Sequence, residues 1–209
     1  MDDMTSKSFI SSHCRIKDNR IDLNGSNRFQ GDYDQFSEFI KSAYKSEQTK
    51  YPKFFKMDNL SKLAFLCADI LLKETINTVN DDTDIALVFS NKASSLDTDR
   101  KHQQTIQDKN NYYPSPAIFV YTLPNICMGE ISIKFRLYSE NSFFIFENFN
   151  GAHLLSYANS LMAEKKASKV LCGWVDFDDE NNYDAFLYLV GETGELAHNL
   201  ENITRLYNT

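Results

Sequence analysis

The chain is poor in the residue types that build phosphate-binding loops, disulfide frameworks and metal clusters. Of its 209 residues only 7 are glycine, 4 are proline and 4 are cysteine. So little glycine leaves few positions for a loop that cradles phosphate. The cysteines form no CxxC pair and are widely separated, which predicts four free thiols and no metal site, at Cys14, Cys67, Cys127 and Cys172. We expect no cofactor.

Long apolar runs and basic charge are also scarce. The most apolar windows, 85–89 and 143–146, are far shorter than the roughly 20 residues of a membrane helix. The start, Met1-Asp2-Asp3-Met4, lacks the basic segment and apolar stretch of a secretory signal. With 22 basic against 29 acidic side chains, the net charge of −7 argues against nucleic-acid binding. We therefore expect a cytoplasmic protein that binds neither nucleic acid nor membranes.

No linker or repeat divides the sequence, which favours a single domain over 1–209. In the first part of the chain, apolar periodicity predicts a hairpin, helices and one buried strand. The expected elements are a hairpin (8–16 and 20–23) around Asp18-Asn19, an amphipathic stretch (36–43), a helix (59–78) capped by Asp58, a strand (84–90) after the turn Asn80-Asp81-Asp82, a solvated helix or loop (97–109) and a mostly buried helix (117–137) interrupted at Pro124.

The last third of the chain alternates between strand and helix patterns. We expect a strand (142–146), a sharp turn (147–151), a helix (152–167), a strand (169–174), an acidic loop (176–182) and a strand (185–190). Such alternation is typical of an α/β layered fold with helices on both faces of a mostly parallel sheet.

Several segments resemble, in order and spacing, the β-ketoacyl synthases, condensing enzymes with a thiolase-like fold. The segments are 113–125 (YPSPAIFVYTLPN), 129–133 (GEISI), 150–158 (NGAHLLSYA) and 169–176 (KVLCGWVD), and 9–23 and 54–68 resemble the opening of the family as well. The resemblance runs over 8–190 and corresponds to the N-terminal half of a fold built from two similar halves. It implies a thiolase-like half-fold.

The same resemblance implies that the catalytic site is degenerate. In the family a nucleophilic cysteine lies on a strained turn between a strand and a helix; the matching turn here is Glu147, Asn148, Phe149, Asn150 and Gly151, with Asn148 at the nucleophile position. An amide cannot form an acyl thioester. The family's two histidines and lysine belong to the other half, and no histidine here matches them. Glu140-Asn141 and Gly173-Trp174 replace a family Gly-Pro and Gly-Gly. We expect no catalytic residue.

The resemblance further implies a partner. In the family the strand that matches Phe143, Phe144, Ile145 and Phe146 pairs with a second subunit, and an uncovered apolar edge would otherwise favour aggregation. We therefore expect a chain-length-factor-like protein that forms a heterodimer with a full-length ketosynthase in fatty-acid or aryl-polyene- or flexirubin-type synthesis and meets acyl carrier protein only indirectly. Six residues, each of which by itself is better explained by ordinary core packing, are as a set the candidates for an acyl tunnel: Pro114, Phe119, Thr122, Ile126, Phe135 and Tyr138.

Two other functions are compatible with the sequence. The chain could be a free-standing decarboxylase or hydrolase of carrier-bound acyl thioesters that uses Glu147 and Asn148, or a homodimeric acyl-carrier- or lipid-binding module without chemistry. Asn148 could contact substrate or cap the following helix. His153 and Cys172 are interpreted as packed residues. The acidic residues 176–180 are interpreted as an exposed loop, and His13 and Cys14 as neighbours on opposite faces of a strand.

Overall fold

The computed structural model describes residues 7–76, 84–110 and 112–209, which form one β-sheet and a set of helices. The strands are β1 (Phe9–Lys17), β2 (Arg20–Leu23), β3 (Ser26–Gln30), β4 (Ile85–Asn91), β5 (Asn141–Ile145), β6 (Lys169–Asp179), β7 (Asn182–Gly191) and β8 (Leu196–Ala197). The α-helices are α1 (Phe36–Ser46), α2 (Asn59–Thr75), α3 (Leu96–Ile106), α4 (Pro116–Phe119), α5 (Ile126–Phe135), α6 (Gly151–Ala163) and α7 (Leu200–Asn208), with short 3-10 helices at Pro52–Lys56 and Val120–Thr122.

The strands lie in the order β3-β2-β1-β7-β6-β4-β5, and β8 adds to β1. Strand β4 runs parallel to both β5 and β6, whereas the remaining pairs are antiparallel. The α/β class is confirmed. The prediction of a mostly parallel sheet is wrong in its proportions, because β6 and β7 are joined by a tight turn instead of a crossover helix and therefore run antiparallel.

The N-terminal hairpin is confirmed. Asp18 and Asn19 both have positive φ, 49° and 57°, as required in a two-residue hairpin turn whose twist matches that of its strands. Asn19 is also held by its side chain, which donates to the Tyr33 carbonyl at 2.7 Å. The turn sets the register Ile16↔Ile21, which places both isoleucines in the core.

Helix α2 is the centre of the core on one face of the sheet. Asp58 caps it as predicted, since its carboxylate accepts from the Ser61 amide at 2.9 Å. The helix is covered by α1 and α5 as well as by the sheet, and Leu63, Leu66 and Ile70 are completely buried. The predicted end of this helix at 77–78 and the predicted turn at 80–82 lie outside the described residues.

Helices α6 and α7 cover the opposite face. Leu154 and Ala158 of α6 and Ile203 of α7 belong to a second core with Val88 and Tyr188 of the sheet. Helices on both faces are therefore confirmed. The sequence interpretation proposed no element after residue 190, so it missed β8 and α7.

The predicted interruption at Pro124 is confirmed, because the segment 117–137 contains two α-helices. The expectation that the segment is mostly buried is wrong for the first of them. Helix α4 has no buried residue. The non-helical residues Leu123, Pro124 and Asn125 precede α5, because proline cannot continue the helical hydrogen-bond ladder. Within the described residues, no individual helix has the length and apolar composition needed to cross a membrane. The pair Pro116–Thr122 and Ile126–Phe135 meets those criteria only jointly and with a bend of 97°.

The acidic stretch 176–182 is mostly strand. Strand β6 continues to Asp179 and β7 begins at Asn182, so only two residues form the turn. All four carboxylates of the stretch bind protein donors: Asp176 accepts from the Ala93 amide at 2.8 Å, Asp178 pairs with Arg100 at 2.7 Å, and Asp179 and Glu180 accept from backbone amides. The stretch extends the sheet and fastens it to the segment before α3.

Candidate functional site

Strand β5 lies at one end of the sheet. It pairs with β4 over Leu87↔Asn141 to Asn91↔Ile145, and among the described strands nothing pairs with its other edge. The strand Asn-Ser-Phe-Phe-Ile contains no charge and no proline. An edge of this composition has none of the features that usually prevent a strand from pairing with another chain.

Two backbone hydrogen bonds show which residues of β5 face the open edge. The Glu140 carbonyl accepts from Leu87 N at 3.0 Å, and Phe146 N donates to the Asn91 carbonyl at 2.9 Å. Alternate residues of a parallel strand bond to the same neighbour, so Ser142 and Phe144 also bond to β4. The main-chain groups directed to the open edge are those of Asn141, Phe143 and Ile145.

The side chains of β5 alternate between the two faces of the sheet. Phe143 packs against the core formed by α2 and α5. Phe144 lies on the other face, where its ring is 4.4 Å from the His153 ring and 5.1 Å from the Tyr157 ring of α6. His153 is therefore the packed helix residue that the sequence indicated. Both faces of the strand are held by its own chain, whereas its outer edge is open.

An uncharged groove of about 410 Å³ lies between α5 and β5. Ile145, half of whose surface is exposed (50%), forms part of its wall on β5. We call this the α5–β5 groove, and its lining residues are Pro124, Asn125, Ile126, Met128, Gly129, Asn141, Phe143 and Ile145. The groove and the open edge of β5 form one continuous surface because Asn141, Phe143 and Ile145 belong to both.

The predicted tunnel residues do not all lie together. Of the six, among the described residues, Ile126 lines the α5–β5 groove, while Phe135 is buried in the core around α2. Thr122 is half-buried and donates to the Phe119 carbonyl at 2.7 Å. The others, Pro114, Phe119 and Tyr138, are exposed.

The segment that follows α4 and helix α5 also present exposed apolar side chains that sequence reasoning had not singled out. They include Val120, Leu123 and Ile133, which are 50%, 57% and 63% exposed. Their exposure could have been suspected from the sequence, since α4 and α5 are apolar on more than one face. The interpretation of this segment as a buried helix placed all of these side chains in the core instead.

Two buried carboxylates hold the inner wall of the groove. In α5, Glu130 is 4% exposed and accepts from the Tyr121 hydroxyl at 3.2 Å and from Lys53 at 2.8 Å. Burial and the Glu130 carboxylate raise the pKa of Tyr121, so Tyr121 remains a hydrogen-bond donor. In α2, Asp69 accepts from Thr49 at 2.6 Å and forms an ion pair with Lys134 of α5. The sequence interpretation had not identified these residues.

The turn 147–151, which the resemblance matches to the family's nucleophile turn, connects β5 to α6. Glu147 and Asn148 are exposed. Asn150, not Asn148, caps α6, because its side-chain oxygen accepts from His153 N at 3.0 Å; the expectation that Asn148 could act as the cap is wrong. An amide at this position offers no nucleophile, and the two exposed side chains face solvent.

Phe149 fills the space beneath this turn. Its ring stacks on Tyr207 of α7 with centroids 3.9 Å apart and lies edge-on to Trp174 at 6.3 Å. Gly173 permits this packing of β6, since a Cβ there would lie 1.9 Å from the Phe186 carbonyl oxygen. The turn is thus held in place by an aromatic cluster that spans β6, β7 and α7.

The cysteines supply no substitute nucleophile. Cys14, Cys67, Cys127 and Cys172 are all free and completely buried. Burial raises the pKa of the Cys127 and Cys172 thiols, and a hydrogen bond to Cys67 together with burial raises that of Cys14. All four thiols are shielded from substrate, and the raised pKa values of three of them oppose thiolate formation, whereas thioester chemistry requires an accessible thiolate.

A comparison with protein-family models found no match, and neither did a comparison with curated protein sequences. A comparison with solved structures did find similar folds. A chain from the ishigamide ketosynthase/chain length factor superposes with a TM-score of 0.66 at 17% identity, covering 91% of this chain and 64% of that one.

Other solved structures agree. A chain from the complex of the ketosynthase ApeO with its chain length factor ApeC, from Xenorhabdus doucetiae, gives a TM-score of 0.61 at 12% identity, covering 97% of this chain and 90% of that one. A β-ketoacyl synthase from Burkholderia phymatum gives 0.58 at 11% identity, covering 90% and 59%. This chain therefore spans less than two thirds of two of these three relatives. At such identities the likeness concerns the fold, and the chain has the thiolase-like fold of ketosynthase and chain-length-factor structures.

Proposed function

We propose that this protein is a non-catalytic, chain-length-factor-like partner of a full-length ketosynthase, with residues 1–209 forming a single domain similar to the N-terminal half of a ketosynthase. The observation that carries the proposal is the uncharged open edge of β5 beside a turn that offers no nucleophile. A ketosynthase fold that keeps its pairing surface without its nucleophile is suited to assembly.

The pairing surface is the strand Phe143, Phe144, Ile145 and Phe146 together with the α5–β5 groove. Solved complexes with this fold include a ketosynthase bound to its chain length factor. By analogy, the ketosynthase adds a strand to β5 through the main-chain groups of Asn141, Phe143 and Ile145, and both sheets become continuous. The acyl carrier protein then docks on the ketosynthase and meets this chain only indirectly.

In such a complex the exposed apolar residues around α4 and the groove close the far end of the partner's acyl tunnel. The proposed tunnel residues are Pro114, Phe119, Thr122, Ile126, Phe135 and Tyr138. Because each buried methylene contributes only about 0.8 kcal/mol, one bulky side chain at the end of the tunnel offsets the binding of further carbons. The chain would thereby limit product length in fatty-acid or aryl-polyene- or flexirubin-type synthesis.

A homodimeric acyl-carrier- or lipid-binding module is the second candidate. It is favoured by the same open edge, because two copies of β5 can pair with each other as readily as β5 can pair with a ketosynthase strand. A free-standing decarboxylase or hydrolase has less support, since Glu147 and Asn148 are exposed and no thiolate accompanies them.

The test is the native mass of the protein purified alone and after co-expression with the ketosynthase encoded nearest to it in the same genome. We expect a one-to-one complex on co-expression. Ile145→Pro should abolish it, because proline removes the amide hydrogen that Ile145 directs to the open edge while the bonds to β4 remain. Ile145→Ala is the matched control, which shortens the side chain but keeps that amide.

The outcomes separate the candidates. A complex that is lost with proline and retained with alanine supports strand pairing with the ketosynthase. A homodimer that ignores the ketosynthase and dissociates in the Ile145→Pro variant would favour the binding module instead. Turnover of acyl thioesters by the protein alone, abolished by Glu147→Ala, would contradict the non-catalytic role.

A further inference from the structure

Gly129 is a glycine that the chain's own packing does not need. It lies within α5, a helix of 10 residues, where glycine destabilises the helix relative to alanine. A Cβ built at this position meets no described atom of another element within 4 Å. By contrast, a Cβ at Gly173 would collide with the neighbouring strand at 1.9 Å. The folded chain therefore requires one of these glycines and merely tolerates the other.

Gly129 lies on the surface that a strand added to β5 would cover. It lines the α5–β5 groove opposite Phe143 and Ile145, next to the open edge of β5. A strand added to that edge lies about 4.8 Å from β5, and alternate side chains of the added strand project to the α5 side. A side chain on that side comes to lie over the groove, and the absence of a Cβ at Gly129 deepens the groove at that point.

We propose that Gly129 is a socket for one large apolar side chain carried by the strand that pairs with β5. The occupant we infer is a side chain of the partner ketosynthase, so this inference rests on the proposed function. Its apolar character follows from the groove, none of whose lining residues is charged in a chain that is 24% charged. An occupant with a charge would lose its hydration without gaining an ionic partner.

The proposal predicts opposite effects of one substitution on the free chain and on the complex. Gly129→Ala should raise the midpoint of thermal unfolding of the free chain by about 1 to 4 °C, because alanine favours the helix. The same variant should weaken binding to the ketosynthase by about tenfold, because the added methyl group overpacks the filled socket. Gly129→Leu, which fills the groove, should abolish measurable binding.

The matched control is Ser156→Ala, an exposed position on α6 at the opposite face of the sheet. It also improves helix propensity, but it should leave the dissociation constant unchanged. Both quantities are measured on purified full-length protein, by differential scanning calorimetry alone and by isothermal titration calorimetry with the ketosynthase encoded nearest to it in the same genome. A purely structural role for Gly129 would lower the unfolding midpoint and leave binding unaltered.

Failure of the socket and failure of the proposed function give different results. If the wild-type chain binds the ketosynthase and Gly129→Ala binds equally well, the socket is overturned and the partner remains. If the wild-type chain does not bind the ketosynthase, both are overturned. If it forms a homodimer that Gly129→Leu disrupts, the socket takes a side chain of a second copy and the ketosynthase is not its partner.

Discussion

The two ends of the sheet are built in opposite ways. Strand β3 at one end is mostly polar and is interrupted by a register shift where it pairs with β2. It also carries Arg28, which pairs with Glu74 at 2.8 Å and with Glu47 at 3.4 Å. Strand β5 at the other end is uncharged, shows no such interruption among its described pairs and is continuous with the uncharged α5–β5 groove.

The two edge strands therefore differ in how well they are protected against pairing with another chain. A bulge and a charged side chain are common means of keeping an edge strand from pairing. The chain uses them at β3 and omits them at β5. The composition of β5 is therefore not a general property of its edges, which supports the proposed role of β5 in assembly.

The largest expected effect concerns the ion pair that holds α5 in place beside β5. Asp69 is 1% exposed, so Asp69→Ala leaves Lys134 without its partner and should destabilise the fold by about 3 to 5 kcal/mol. Unfolding in urea, followed by circular dichroism, measures the loss. A loss below about 1 kcal/mol would show that α5 does not depend on this pair.

A second prediction concerns a charged side chain placed on β5, comparable to Arg28 on β3. Ile145→Lys places a charge at the half-exposed end of the open edge, and we expect it to weaken the ketosynthase complex by more than about 100-fold. The thermal stability of the free chain should change little. Equal affinity of the variant and the wild type, measured by calorimetric titration, would sink the assignment of β5 as the interface.

A third prediction concerns a residue away from both edge strands, in the connection between β8 and α7. His198 contacts Ser8 and Asn159 through Nδ1 at 3.2 Å, and burial lowers its pKa from 6.5 to about 4. The unfolded chain therefore binds the proton more readily, so stability is fully present above about pH 6.5 and is lost as the pH falls towards about 4. Between about pH 7 and 5 the loss should be about 2 kcal/mol.

The check is urea unfolding of the wild type and of His198→Gln across that pH range. The variant should lack this part of the pH dependence, and an unchanged slope would contradict it. Because His198 lies outside both edges, the substitution should also leave ketosynthase affinity at neutral pH unaltered.

The smallest expected effect is at β3. Arg28 and Glu74 are both partly exposed (36% and 45% for the side chains), and solvent screens such a pair. Glu74→Ala should therefore change stability by less than about 0.5 kcal/mol. A loss comparable to that of Asp69→Ala would remove the contrast between the buried pair beside β5 and the exposed pair at β3.

Much of the fold could be predicted because its signals are local. The hairpin follows from Asp18-Asn19, the start of α2 from the cap Asp58, and β4 from a continuous apolar run. The end of β6 could not be predicted in this way, because its acidic residues read as a loop until Arg100 and the Ala93 amide are brought to them by tertiary contacts.

The same distinction between local and tertiary information applies to the candidate site. The sequence alone carried the resemblance that places Asn148 at the family's nucleophile position, and it predicted an apolar strand around Phe143 to Phe146, because residue identity and apolar runs are local properties. Only the tertiary structure decided that β5 is an edge, that Asn150 is the cap and that Gly129 lies over an open groove. Strand order, burial and the space around a glycine depend on residues distant in the chain, and no single segment contains that information.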